Sequence, residues 1–160
     1  MKDNKFTLVD VGCGSGRFLG KSLKTFPNQV SVLGIDFSSQ LIERTGRILT
    51  KSFPGIGNPE NFLVVADFMT YPIPVEEDKC DVIFAGEWLE HQLDVHAALR
   101  RLELWVKPGG LCVITIPKGP WEALSYSEKP NIRHHVSHFE FRDVEELFGL
   151  KEFKMEFTPM

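Results

Sequence analysis

The densest chemistry in the chain lies in Val9-Asp10-Val11-Gly12-Cys13-Gly14-Ser15-Gly16. Three glycines at alternate positions let a backbone turn sharply and let a ligand approach it closely. Their spacing is G-x-G-x-G, not the G-x-G-x-x-G of dinucleotide folds, and an acid, Asp10, precedes the loop. A carboxylate there can anchor the loop and suits a ligand bearing an amino-acid ammonium; it disfavours a pyrophosphate. Asp36 follows Gly16 by 20 residues at the end of a second apolar run. An acid so placed can accept both ribose hydroxyls of an adenosine, or merely begin the helix announced by Ser38. Asp67, in Ala66-Asp67-Phe68, can accept an adenine amino group, with Phe68 against or near the ring; the plainer alternative is a loop Asp beside a buried Phe.

A second constellation follows the fourth apolar run. Glu87, Glu90 and His91 are spaced by three and four, which on a helix is one face. His134, His135 and His138 come downstream. Two carboxylates and two imidazoles can hold a divalent metal. The expectation preferred here is that no metal is bound, the glutamates cap or pair locally, and His91, His135 or His138 serves as a general base on a hydroxyl.

The elements that must carry these residues alternate. Strands are expected at Thr7 to Val11, Val30 to Ile35, Phe62 to Ala66, Asp81 to Ala85 and Leu111 to Ile116. Helices are expected from about Gly16 to Thr25, from Ser38 to about Thr50, and from about Asp94 to Trp105, the last ended by Lys107-Pro108-Gly109-Gly110. A long irregular stretch runs from Pro117 to about His138, followed by a helix near Arg142 to Phe148 and a strand from Glu152 to Thr158. Such alternation predicts an α/β fold, a doubly wound and mostly parallel Rossmann-like sheet with helices on both faces, forming a single domain over residues 1–160. Ligands of such sheets bind at the carboxyl ends of the strands, near the switch point. The first strand begins almost at once and the last ends at the terminus. The expectation drawn from this is a fold truncated at both ends, a module continuous with other domains in a longer chain.

Four stretches, VDVGCGSG, GIDFS, VVADF and CDVIFAGEWLEH, together with the later VKPGG, resemble the class I S-adenosylmethionine-dependent methyltransferases over roughly Leu8 to Pro117. The resemblance implies a seven-stranded sheet and S-adenosyl-L-methionine held by Asp10, Gly12, Cys13, Gly14, Gly16, Asp36, Phe37, Asp67, Phe68 and Gly86. It does not specify the acceptor. E-x-x-E-H resembles the metal site of small-RNA 2′-O-methyltransferases and of ubiquinone-pathway enzymes, and Phe139-Glu140-Phe141 is similar to an F-E-W segment of the former. That family's histidine sits two before the Phe, where this chain has Ser137. Gly119-Pro120-Trp121-Glu122 and HHVSHFEF resemble methyltransferase modules associated with glycosyltransferases. The reading is therefore methyl transfer to a hydroxyl of a small molecule or glycan. The alternatives are metal-assisted methylation of an RNA 3′ end and a non-catalytic cofactor-binding module.

Composition narrows the field. The formal charge is -4 over 160 residues, which argues against a broad nucleic-acid footprint but not against a local anionic contact. Cys13, Cys80 and Cys112 form no C-x-x-C pair, as expected of reduced thiols in a cytoplasmic protein. No signal peptide is visible, and no apolar run approaches the roughly 18 residues of a membrane span. The loop spacing argues against a nicotinamide-dependent oxidoreductase.

Overall fold

Five strands pair side by side and all in parallel in the computed structural model, which describes residues 5–74 and 78–117. They are β1 (Phe6–Val11), β2 (Val30–Asp36), β3 (Leu63–Val65), β4 (Cys80–Gly86) and β5 (Val106–Thr115), in the order β3-β2-β1-β4-β5. The helices are α1 (Arg17–Thr25), α2 (Ser39–Ser52) and α3 (Val95–Trp105). The strand order reverses between β1 and β4, so the crevice above their carboxyl ends is the switch point that the alternation predicts.

Strand alternation sorts the core into two layers. Val9, Val11, Ile35, Ile83 and Ala85 pack with Leu102 and Trp105 of α3. Leu8 and Leu63 pack with Leu19 of α1 and Ile42 and Leu49 of α2. α1 and α2 thus cover one face of the sheet and α3 the other. Asp10 has the parity of Leu8 and points toward the α1–α2 layer. Its register partner on β2 is Gly34, where a Cβ would stand 2.8 Å from Leu19 Cδ1 and 2.9 Å from Cys13 Sγ. Only a glycine leaves room for the packing around the buried acid.

α2 starts at the Ser38 cap expected from sequence, and α3 at an Asp94 cap that the structure adds. The Ser38 hydroxyl accepts from the Leu41 N–H at 3.3 Å, and Asp94 Oδ1 accepts from the Ala97 N–H at 2.8 Å. The expected stop at Lys107-Pro108-Gly109-Gly110 is corrected: α3 passes straight into β5, and these residues lie within that strand. Cys80 pairs with Val106 and Val82 with Leu111, so a bulge absorbs the extra residues. Gly109 has φ +77°, and a Cβ on Gly110 would stand 2.8 Å from the Asp81 carbonyl oxygen. The glycines here kink a strand; they do not cap a helix. The expected helix at 142–148, the strand at 152–158 and the whole histidine segment, His134, His135 and His138 included, lie outside the described residues. Among the described residues no helix is long and apolar enough to cross a membrane.

Candidate functional site

At the switch point the loop leaving β1 takes an unusual path. Gly12, Gly14 and Gly16 have φ of +67°, +50° and +69°, the left-handed region that costs an L side chain roughly 1–2 kcal/mol. Three such residues in five explain why glycine occupies every second position. The Gly12 and Cys13 N–H groups both donate to the Ile35 carbonyl, at 2.8 and 3.1 Å, which ties the loop to β2. The surroundings of the three differ. A Cβ on Gly12 would meet Trp88 Cδ1 at 2.9 Å, and one on Gly16 would meet Thr45 Cγ2 at 2.4 Å. On Gly14 the nearest atom would be the Gly12 carbonyl oxygen at 3.8 Å. The loop is closed at its two ends and open at its centre.

Asp36, at the end of β2 and 6% exposed, supports that centre. Its Oδ2 accepts from the Gly14 N–H at 2.8 Å and its Oδ1 from the Ser38 N–H at 2.9 Å. A carboxylate has about four lone-pair positions, so each oxygen retains acceptor capacity, which is what a vicinal diol requires. Phe37, next in sequence, is 82% exposed. Asp10 is 3% exposed beneath the loop. Burial, and secondarily the Asp36 charge, pushes its carboxyl up to about 7. The same burial, with Asp10 and Asp36 nearby, drives the Cys13 thiol well above its ordinary value, so Cys13 is a packing thiol and not a nucleophile.

Asp67 lies exposed after β3, with Oδ1 accepting from the Met69 N–H at 2.9 Å. Phe68 takes the buried placement that was the plainer of the two expectations. Its ring turns inward, 2% exposed, edge-on to Trp88 at 5.6 Å and tilted against Trp105 at 5.1 Å. A large ring after a three-residue strand is better buried between two indoles than left facing water. Gly86 ends β4, where a Cβ would collide with the Phe84 ring at 2.5 Å.

The glutamates and His91 do not form one helical face. Glu87 has φ +50° and its Oε1 accepts from the Thr115 hydroxyl at 3.1 Å. A single 3-10 turn, Leu89–His91, follows. Glu90 is 0% exposed, whereas Glu87 and His91 are exposed. Among the described residues no group of three His, Cys, Asp or Glu is placed to hold a metal ion.

Sequence reading missed three residues that shape this site. The Thr45 hydroxyl of α2 donates to the Gly14 carbonyl at 2.8 Å. Trp88 roofs Gly12. The Arg101 guanidinium of α3 donates to the carbonyls of Phe68 and Tyr71 and so braces the loop bearing Asp67. Only a strand-following aromatic, Trp88, left any sequence signal, since Thr45 and Arg101 act across 31 and 33 residues of chain.

Comparison with known proteins adds kinship. A family model described as a methyltransferase domain matches residues 2–156. The demethylmenaquinone methyltransferase of Staphylococcus saprophyticus is 31% identical over 105 residues, 66% of this chain and 42% of that protein. Malonyl-[acyl-carrier protein] O-methyltransferase 2 of Ilyobacter polytropus is 26% identical over 154 residues, 91% of this chain and 54% of that protein. The chain therefore spans about half the length of these curated relatives. Among solved structures, the plantazolicin methyltransferase BpumL, crystallised with a desmethylPZN analog and SAH, is similar with a TM-score of 0.68 at 17% identity, covering 89% of this chain and 53% of that one. That likeness concerns the fold.

Proposed function

The chain belongs to the methyltransferase domain family, and from that premise we propose that it binds S-adenosyl-L-methionine in the β1–β4 crevice and methylates a hydroxyl of a small molecule or glycan. The observation that carries this reading is the loop open only at Gly14, with the Asp36 carboxylate beneath it. The residues present fit the group. Gly14 leaves a face without side chains, Asp36 keeps acceptors for two ribose hydroxyls, and Asp67 has an exposed carboxylate for an exocyclic amine. Phe37 offers an exposed ring to the adenine, Gly12 and Gly16 fix the loop, and Asp10 is the acid nearest the amino-acid portion. Cys13 and Gly86 line the crevice through backbone and compactness rather than reactivity.

When bound, the cofactor supplies an electrophilic methyl group on a sulfonium. The chain's own work is alignment and exclusion of water. Trp88 packs over Gly12 on the β4 side of the crevice, backed by the buried Leu89. His91, exposed directly after them, takes the proton from the acceptor hydroxyl, with His135 and His138 as further candidates for that role.

Calorimetry with S-adenosylhomocysteine tests the binding half. Asp36→Asn should lose roughly 1.5–3 kcal/mol, the cost of hydrogen bonds to a charged group; unchanged affinity would remove the ribose assignment. Transfer of a labelled methyl group to a panel of hydroxyl-bearing small molecules and oligosaccharides tests the other half. Tight binding with no transfer to any acceptor would favour a non-catalytic module.

A further inference from the structure

On the α1–α2 face a groove of about 650 Å³ lies between the two helices, running from Ser15 and Gly16 at the end of the glycine loop to Ser52 and Phe53 at the end of α2. Gly20, Ile48, Leu49 and Phe53 give it an apolar lining, and Arg17 and Lys24 border it from α1. Gly20 keeps it open, since a Cβ there would already stand 3.4 Å from Leu49 Cδ2. Ile48 is 43% exposed, a β-branched side chain left to water on a helix.

The charge around this groove is one-sided. Lys21 stands four after Arg17 and three before Lys24, and Arg44 and Lys51 stand four before and three after Ile48, so helical spacing gathers them beside it. The two helices carry six Lys and Arg against one acid, Glu43, in a chain of net charge -4. Arg47 pairs with Glu43 at 3.8 Å. Arg17, Lys21, Lys24, Arg44 and Lys51 form no ion pair among the described residues.

We propose that this groove docks an acidic segment of a partner protein that carries an apolar anchor. The anchor fills the space over Ile48, Leu49 and Phe53, and the carboxylates meet the cations on both rims. Charge complementarity of this kind steers encounter, while a buried apolar anchor supplies affinity. The shape selects against other anionic partners. A bilayer surface would meet the cations but could not enter a concavity, and a nucleic acid would neutralise them and leave the apolar floor wet. The proposal is independent of the reaction proposed above.

The test is fluorescence anisotropy with a labelled peptide of Glu bearing Leu at helical spacing. We expect salt-sensitive binding, weakened about tenfold or more in a K21E/K24E/K51E variant and in Ile48→Asp, all changes at exposed positions. The same peptide without Leu should bind about tenfold more weakly than the parent. Three outcomes overturn the proposal. One is absence of peptide binding at low salt. The second is equal affinity of the variants or of the Leu-free peptide. The third is capture of oligouridine or phosphatidylglycerol vesicles in preference to the peptide.

Discussion

Asp10 and Asp36 sit on neighbouring strands and are both buried, yet they live in different electrostatic settings. Asp36 is met by two backbone N–H donors. Asp10 has burial and the Asp36 charge against it, and keeps its proton up to about pH 7. In an unfolded chain the same carboxyl lets go near 3.8. Between those values the folded state holds a proton that the unfolded state has lost, so stability falls as pH rises through the window and levels off above about 7. The Asp10 contribution is at most about 1.4 kcal/mol per pH unit. Asp10→Asn should abolish this slope and be more stable than the parent at pH 8, as read by denaturant titrations at pH 5 and 8; parallel behaviour of the two proteins would refute the assignment. The residues that carry such chemistry were legible as sequence because they cluster in it: the glycine loop, Asp10 and Asp36 are local patterns. For Phe68 the sequence left a buried ring and a ring near the ligand both open, because its direction is decided by Trp88 and Trp105, distant in the chain.

Among the elements, the β1 loop shows that three glycines of like φ serve different ends. Gly16 is confined by α2, whose Thr45 methyl lies where a Cβ would go. Gly14 is confined by nothing but its own φ. Gly16→Ala should therefore destabilise the fold by about 1–3 kcal/mol through crowding added to backbone strain, and Thr45→Ser should recover part of that loss in a double-mutant cycle. Gly14→Val should fold, at a cost of order 1–2 kcal/mol, and fail to bind S-adenosylhomocysteine. Thermal melts and calorimetry separate the two, and normal ligand binding by Gly14→Val would sink the site. Among the described residues, strand and helix positions other than β5 were readable to within a residue or two, since apolar periodicity and the Ser38 cap are local. The start of β5 was not. Pro108-Gly109-Gly110 carries the composition of a helix stop, and only pairing with β4 reveals it as a bulge.

At the scale of the whole molecule, the sheet order gathers the ends of β1, β4 and β5 at one crevice, and this decides how Glu87, Glu90 and His91 are used. Equal helical spacing would set all three toward a common ion. The actual chain leaves β4 through a left-handed residue, Glu87, whose carboxylate is tied to Thr115 at the end of β5. It then makes a single tight turn that carries Glu90 into the interior beside Leu89 and leaves His91 outside. Glu90 is buried while Glu87 and His91 are exposed, so the three are not presented together; in the reaction proposed above, the exposed His91 imidazole takes the proton and no ion is needed. The expected outcome in a methyl-transfer assay is that a chelator leaves turnover unchanged and that added Mg²⁺ or Mn²⁺ does not raise it. His91→Ala should lower kcat by roughly 10²–10⁴-fold, the usual contribution of a general base, with little change in affinity for S-adenosylhomocysteine. Turnover that collapses with chelator and returns with Mn²⁺ would mean that donors beyond this turn complete an ion site, and His91 would then be a ligand and not a base.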